Sequence, residues 1–355
     1  MRVLIVDDSV VFRSQIKSAL DGIDDIVVVN TAANGKIGIE RLQQNEVDVV
    51  ILDLEMPVMD GKQMLQEMRK NNLNQKVIVF ASPTGEGIDL TLSALEAGAS
   101  DFITKPNSNG SLEQALEGIK KELVPKILQF KNKNHFKTPV PIKKSYEPVK
   151  VQEIIPNKNF SIFRPKCIGI GSSTGGPNAL EHVLAKLKGL SLEIPIFLAQ
   201  HMPPKFTEAL ARRLEEVSGH PCHEGKEGQL ALPGHIYVAP GDYHMTVEKF
   251  GDNAQTMIRL DQGSKRNSVR PAVDNLFESL AKVYGNSCVA FVLTGMGEDG
   301  LVGAHAIKAA SGSVIIQDAA SSVVWGMPGA IFDAGAYDAI GNLDECSEYL
   351  VQLIH

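Results

Sequence analysis

Short apolar runs alternate with amphipathic stretches through the first 125 residues. The runs fall at 2–6 (RVLIV), 26–29 (IVVV), 47–52 (VDVVIL), 76–80 (KVIVF) and 101–103 (DFI). The stretches between and after them cover roughly 10–20, 34–44, 61–70, 87–97 and 111–128. Strand-length β-branched runs separated by helical periodicity predict a doubly wound α/β domain over 1–128, with five parallel strands. The runs are apolar throughout, as expected of strands covered on both faces.

The periodicity stops at 129. From there to 163 the chain is polar, holds Pro139, Pro141 and Pro148, and sets Lys131, Lys133, Lys137, Lys143, Lys144 and Lys150 against Glu147. That composition predicts a flexible basic linker. At 164 the α/β rhythm resumes: KCIGIG, a Gly-rich turn and the helical NALEHVLAKL. Further strands are expected at 195–200 (PIFLAQ), 235–239 (HIYVA), 288–293 (CVAFVL) and 313–317 (SVIIQ). Residues 164–355 therefore read as a second α/β domain, doubly wound and Rossmann-like.

Charge and composition narrow the function classes. A net charge of -7 offers no electrostatic reason to bind nucleic acid, and no helix-turn-helix with a basic face is evident. Cys167, Cys222, Cys288 and Cys346 are far apart, which argues for reduced, buried thiols rather than a zinc ribbon or disulfide framework. The first apolar run meets Asp7 and Asp8 too soon for a signal sequence, and no later segment reaches membrane length. A cytoplasmic protein without membrane insertion is expected.

In the first domain, Asp7 and Asp8 end strand one, Asp53 ends strand three, Ser82 ends strand four and Lys105 follows strand five. Ligands of doubly wound sheets bind at the carboxyl ends of the strands. The order 2-1-3-4-5 sets strands one and three side by side and crowds the three carboxylates. A hard cation such as Mg²⁺ relieves that repulsion, and a carboxylate beside it acts as a nucleophile toward phosphoryl groups. Ser82 and Lys105 are placed to contact the phosphoryl oxygens.

VDDS, LDLEMPVMDG, Ser82 and TKP together resemble the response-regulator receiver domains, which have a flavodoxin-like fold. The resemblance implies Asp53 as phosphorylation site, Asp7, Asp8 and Asp53 as the Mg²⁺ site, and a histidine kinase as phosphodonor. Ser82, Phe102 and Lys105 match the family's switch positions. A core phenylalanine suits position 102 equally well.

In the second domain, IGIGSSTGGP (168–177) runs from a strand through a Gly-rich turn into a helix. Read as a dinucleotide fingerprint it has Gly169 and Gly171 but Thr174 at the third position. No acid closes the following strand, where Gln200 and His201 stand instead. Read as a nucleophile turn it offers Ser172, Ser173 and Thr174, and spacing alone does not choose among them. His201, in AQHMPP, is the favoured base, with His244 in APGDYHM its rival. LTGMGEDG (293–300) supplies Glu298 and Asp299 as acids and backbone N–H groups for an oxyanion; Asp274 in VRPAVDNLF is the rival acid.

GSSTGGP, QHMPPKFT, APGDYHM, RPAVDNLF, LTGMGEDG and WGMPGA resemble, in order, the catalytic domain of the chemotaxis protein-glutamate methylesterases. The resemblance implies Ser173 as nucleophile, His201 as base and Asp299 as acid. It also implies an oxyanion hole at Met296 with Thr174 at its border, no cofactor in this domain, and Ser172 as an idle neighbour. The implied reaction is hydrolysis of glutamate γ-methyl esters on methyl-accepting chemotaxis receptors, releasing methanol, with deamidation of receptor glutamines by the same groups. Phosphorylation of Asp53 is then expected to relieve the receiver's cover of the catalytic face. A nucleotide-binding or non-enzymatic output domain is the alternative.

Overall fold

The five apolar runs of the N-terminal third form β1 (Arg2–Val6), β2 (Val27–Ala32), β3 (Val49–Leu52), β4 (Lys76–Ala81) and β5 (Asp101–Thr104) in the computed structural model. That structure describes residues 1–106, 111–131, 164–252 and 254–354. Contacts divide the chain into two units, Met1–Ser145 and Tyr146–His355.

In the first unit all strands are parallel, in the order β2-β1-β3-β4-β5. Helices α1 (Val10–Leu20), α2 (Gly35–Gln44), α3 (Gly61–Lys70), α4 (Gly85–Glu96) and α5 (Leu112–Leu128) connect or follow them. Each helix begins at a side-chain cap, Ser9, Asn34, Asp60, Thr84 and Ser111 in turn, which satisfies an N–H that has no partner inside the helix. The interior strands β1, β3 and β4 are almost wholly buried, but β2 departs from that expectation. It is an edge strand, with Val27 60% exposed, and it extends through the polar Asn30 and Thr31. Of the expected linker, residues 129–131 still belong to this packing: Phe130 is buried and Lys131 Nζ lies 2.7 Å from Asp25. Residues 132–163 lie outside the described residues.

The second unit has seven parallel strands in the order β14-β13-β12-β6-β7-β9-β8. They are β6 (Cys167–Ser172), β7 (Ile196–Gln200), β8 (Cys222–Glu224), β9 (Ile236–Val238), β12 (Cys288–Val292), β13 (Ser313–Gln317) and β14 (Ala339–Gly341). An antiparallel hairpin, β10 (His244–Phe250) with β11 (Gln255–Asp261), packs on α8 (Val273–Tyr284) and was not foreseen from the sequence. Its first strand is buried only at one end, so no sustained alternation marks it. The remaining helices are α6 (Gly176–Ala185), α7 (Phe206–Ser218), α9 (Leu301–Ala309), α10 (Met327–Asp333) and α11 (Leu343–Ile354).

Because β6 lies between β7 and β12, the order reverses there, and the turn leaving β6 occupies the topological switch point. α8 lies against β6. A Cβ on Gly169 would fall 2.7 Å from Leu280, and one on Gly171 would collide with Val273. The two glycines of the apparent fingerprint therefore admit a helix, which removes the main support for the dinucleotide reading. All four cysteines are free and buried. Among the described residues, no helix is long and apolar enough to cross a membrane.

Candidate active site

In the first unit the strand ends gather the acids. Asp7 and Asp53 are buried and Asp8 is exposed, and one oxygen from each lies within 4.8 Å of the others. Lys105 Nζ stands 2.8 Å from Asp53 Oδ1 and 3.9 Å from Asp7 Oδ2. Burial and the charge of Asp53 push the Asp7 carboxyl up to about 6, against the pull of Lys105 and the Ser9 N–H. Among the described residues Asp7 Oδ2 has no hydrogen-bond donor. Three carboxylates with one unsatisfied buried oxygen suit a hard divalent cation.

Ser82 is half-buried at the end of β4, its Oγ 3.3 Å from Thr84 Oγ1. Phe102 is buried, with Lys126 Nζ 6.0 Å from its ring centroid. A cleft of about 450 Å³ opens beside Asp8, lined by Leu54, Met56, Pro57, Lys62 and Leu90 among others.

The hydroxyls of the second unit separate cleanly. Ser172, the last residue of β6, is fully buried and donates to Gln200 Oε1 at 2.7 Å. It thus anchors Gln200. Thr174 is also buried, and its carbonyl accepts from Thr294 Oγ1 at 2.9 Å. Ser173 alone of the three is half-exposed. Its N–H donates to Thr294 O (3.0 Å), and its carbonyl accepts from Gly176 N–H (2.7 Å) and Gln200 Nε2 (2.9 Å). Gly175, at φ +77°, makes the sharp turn into α6.

His201 follows β7 and lies 2.7 Å, through Nε2, from Asp299 Oδ2. The rival base is otherwise engaged. His244 is buried, its Nδ1 accepting from Ala272 N–H (3.2 Å) and its Nε2 3.0 Å from Ser264 O. Of the acids in the Gly-rich loop, Glu298 is exposed and Asp299 buried.

Asp299 accepts from the N–H groups of Val273 (2.6 Å) and Asp274 (3.1 Å). Burial alone would raise its pKa, but the hydrogen bond and charge of His201, with those two N–H groups, outweigh it and hold it below the ordinary carboxylate value. Asp274 is not beside His201 in any described hydrogen bond; burial and the charge of Asp299 raise its pKa. Gly295 lets the loop lie between Met327 and the serine turn, since a Cβ there would collide with Met327 Sδ and sit 2.9 Å from Ser173 Cβ. Met296, next to it, is 37% exposed.

Gln200, Thr294 and Asn267 join this constellation without having been singled out. Gln200 alone carried a hint, as the polar end of an apolar strand immediately before His201.

A family model described as CheB methylesterase matches residues 168–350, and one described as response regulator receiver domain matches 3–117. A protein-glutamate methylesterase/protein-glutamine glutaminase of Trichodesmium erythraeum is 41% identical over 356 residues, covering 99% of both chains. Another, of Paramagnetospirillum magneticum, is 39% identical over 99% of this chain and 96% of its own. The solved CheB methylesterase catalytic domain of Thermotoga maritima is 38% identical and aligns with a TM-score of 0.51, over 54% of this chain and 99% of that one.

Proposed function

Since the chain belongs to the CheB methylesterase family and carries a response regulator receiver domain ahead of the esterase, we propose that it is a phosphorylation-activated hydrolase of chemoreceptor glutamate γ-methyl esters. Receptor glutamines are its second substrate. The observation that carries the reading is the 2.7 Å pair of His201 with Asp299 at the strand ends that also bear Ser173.

His201 directs Nε2–H to Asp299, which leaves Nδ1 to accept the Ser173 hydroxyl proton. Ser173 Oγ bonds to the ester carbonyl carbon, and the π pair moves to the carbonyl oxygen. Backbone N–H groups at Met296 and Thr174 receive that oxyanion, each such donor being worth about 3–4 kcal/mol. Collapse breaks the bond to the methoxy group, which leaves as methanol with the proton from His201. Water deprotonated by His201 then bonds to the acyl carbon, the bond to Ser173 Oγ breaks, and His201 returns the proton to that oxygen, leaving a glutamate carboxylate on the receptor. A glutamine substrate releases ammonia in place of methanol.

In the receiver, Asp7, Asp8 and Asp53 would hold Mg²⁺, whose charge balances that of a phosphoryl group. Asp53 accepts that group from a histidine kinase, Lys105 and Ser82 contact it, and burial of Phe102 is the switch element. The receiver runs over 1–128 with 129–131 packed on it, the esterase over 164–355, the basic segment up to 163 joins them, and the protein works in the cytoplasm, where its receptor segments lie.

Methanol release from methylated receptor, with and without a small phosphodonor, tests the reading. Wild type should release methanol and accelerate with the phosphodonor, Asp53→Ala should not accelerate, and Ser173→Ala should release none. Undiminished release by Ser173→Ala would overturn it.

A further inference from the structure

Asp274 is nearly inaccessible, at 1% exposure, and its carboxylate is engaged on every side. Its Oδ1 accepts from Gly300 N–H (3.0 Å) and Gly303 N–H (2.8 Å), at the start of α9. Asp299, just before α9, accepts in return from the first two N–H groups of α8, those of Val273 and Asp274. Each acid thus caps the helix that begins beside the other, where free N–H groups and the helix dipole favour negative charge.

Asn267 joins them. Its Nδ2 lies 3.2 Å from Asp274 Oδ2 and 3.2 Å from Asp299 Oδ1. Arg266 Nε stands 3.3 Å from Asp274 Oδ2, while its two terminal nitrogens hold Glu278 at 2.6 and 3.0 Å. Asn267 (φ +50°) and Ser268 (φ +66°) are both left-handed, a conformation that costs an L-residue about 1–2 kcal/mol. That strain is spent where the amide bridges the two carboxylates.

Two buried carboxylates in one network repel, and without donors between them one takes up a proton. The imidazole needs Asp299 charged and aimed. We propose that Asn267, Asp274 and Arg266 are positioning residues that aim Asp299 at His201, the Asn267 amide and the Arg266 guanidinium offsetting the repulsion between the two carboxylates, and so set turnover rather than substrate affinity. The inference rests on the Ser173–His201–Asp299 reading above. The lowered Asp299 and raised Asp274 carboxyls agree with it. Of the charged groups in this network, Asp299 touches the imidazole, Asp274 on α8 and Arg266 before it stand behind Asp299, Glu278 pairs with Arg266, and exposed Glu298 precedes Asp299 in the chain.

The test measures kcat and KM for methanol release by the full chain with phosphodonor, and the His201 imidazole titration by NMR. Asn267→Ala should lower kcat about tenfold or more with KM nearly unchanged. Arg266→Gln removes a positive charge and should raise the imidazole pKa; Asp274→Asn removes a negative one and should lower it. An unchanged kcat in Asn267→Ala, a loss confined to KM, or an imidazole pKa insensitive to Arg266→Gln overturns the proposal. Should Asp274→Asn fail to fold, the other two variants decide. Absence of methanol release from wild type would instead sink the esterase reading, while the imidazole titration still judges the positioning unit.

Discussion

Ser172 Oγ donates to Gln200 Oε1 at 2.7 Å, and the amide so oriented donates to the carbonyls of Ser173 (2.9 Å) and His201 (3.3 Å). One buried side chain therefore ties the turn leaving β6 to the turn leaving β7. Gln200→Ala would strand the Ser172 hydroxyl and the His201 carbonyl, while the Ser173 carbonyl keeps the Gly176 N–H. We expect a loss of about 3 kcal/mol of stability in urea unfolding, with a fall in kcat, since unsatisfied buried groups cost about 1–3 kcal/mol each.

Ser172→Ala and Ser173→Ala should part company. The first leaves Gln200 Oε1 without its donor, costing about 1–2 kcal/mol, yet most methanol release survives. The second should abolish release while leaving the unfolding midpoint almost in place. Loss of activity in both would mean that the hydroxyl assignment is wrong.

Gly295→Ala places a Cβ 2.9 Å from Ser173 Cβ. Overpacking of this kind costs about 1–3 kcal/mol. The new Cβ meets the Met327 side chain first and the turn of the proposed nucleophile second, so turnover should fall by about tenfold or more, beyond what the stability loss alone predicts. Steady-state kinetics well below the melting midpoint would show whether it does.

Asp299 has a pKa below its ordinary value of 3.8. Its charged form thus adds stability that is fully present above that value and is lost as pH falls through the lowered one. The stability gap between wild type and Asp299→Asn should stay level from about pH 8 to 5 and close below about pH 4. Chemical denaturation across that range measures it.

Mg²⁺ should raise the melting midpoint of the receiver, because the buried Asp7 and Asp53 carboxylates repel one another. In Asp53→Asn the rise should shrink or vanish. An equal rise in both would place the cation elsewhere.

Hydrophobic patterning determined the two α/β units and most strand ends to within a residue or two. Buried parallel strands are unbroken β-branched runs, and helices of the first unit open on visible Ser, Asn, Asp and Thr caps. The acidic cluster was legible for the same reason, since its members stand at strand ends that the sheet order brings together. Edge strand β2 and the β10–β11 hairpin were less legible, because part-exposed strands carry polar residues that blur the pattern. Only the tertiary structure decided which hydroxyl is accessible, that His244 is locked by Ala272 and Ser264, and that Asp299 rather than Asp274 meets His201. Those distinctions depend on burial and on hydrogen-bond partners distant along the chain, and spacing within a motif carries neither.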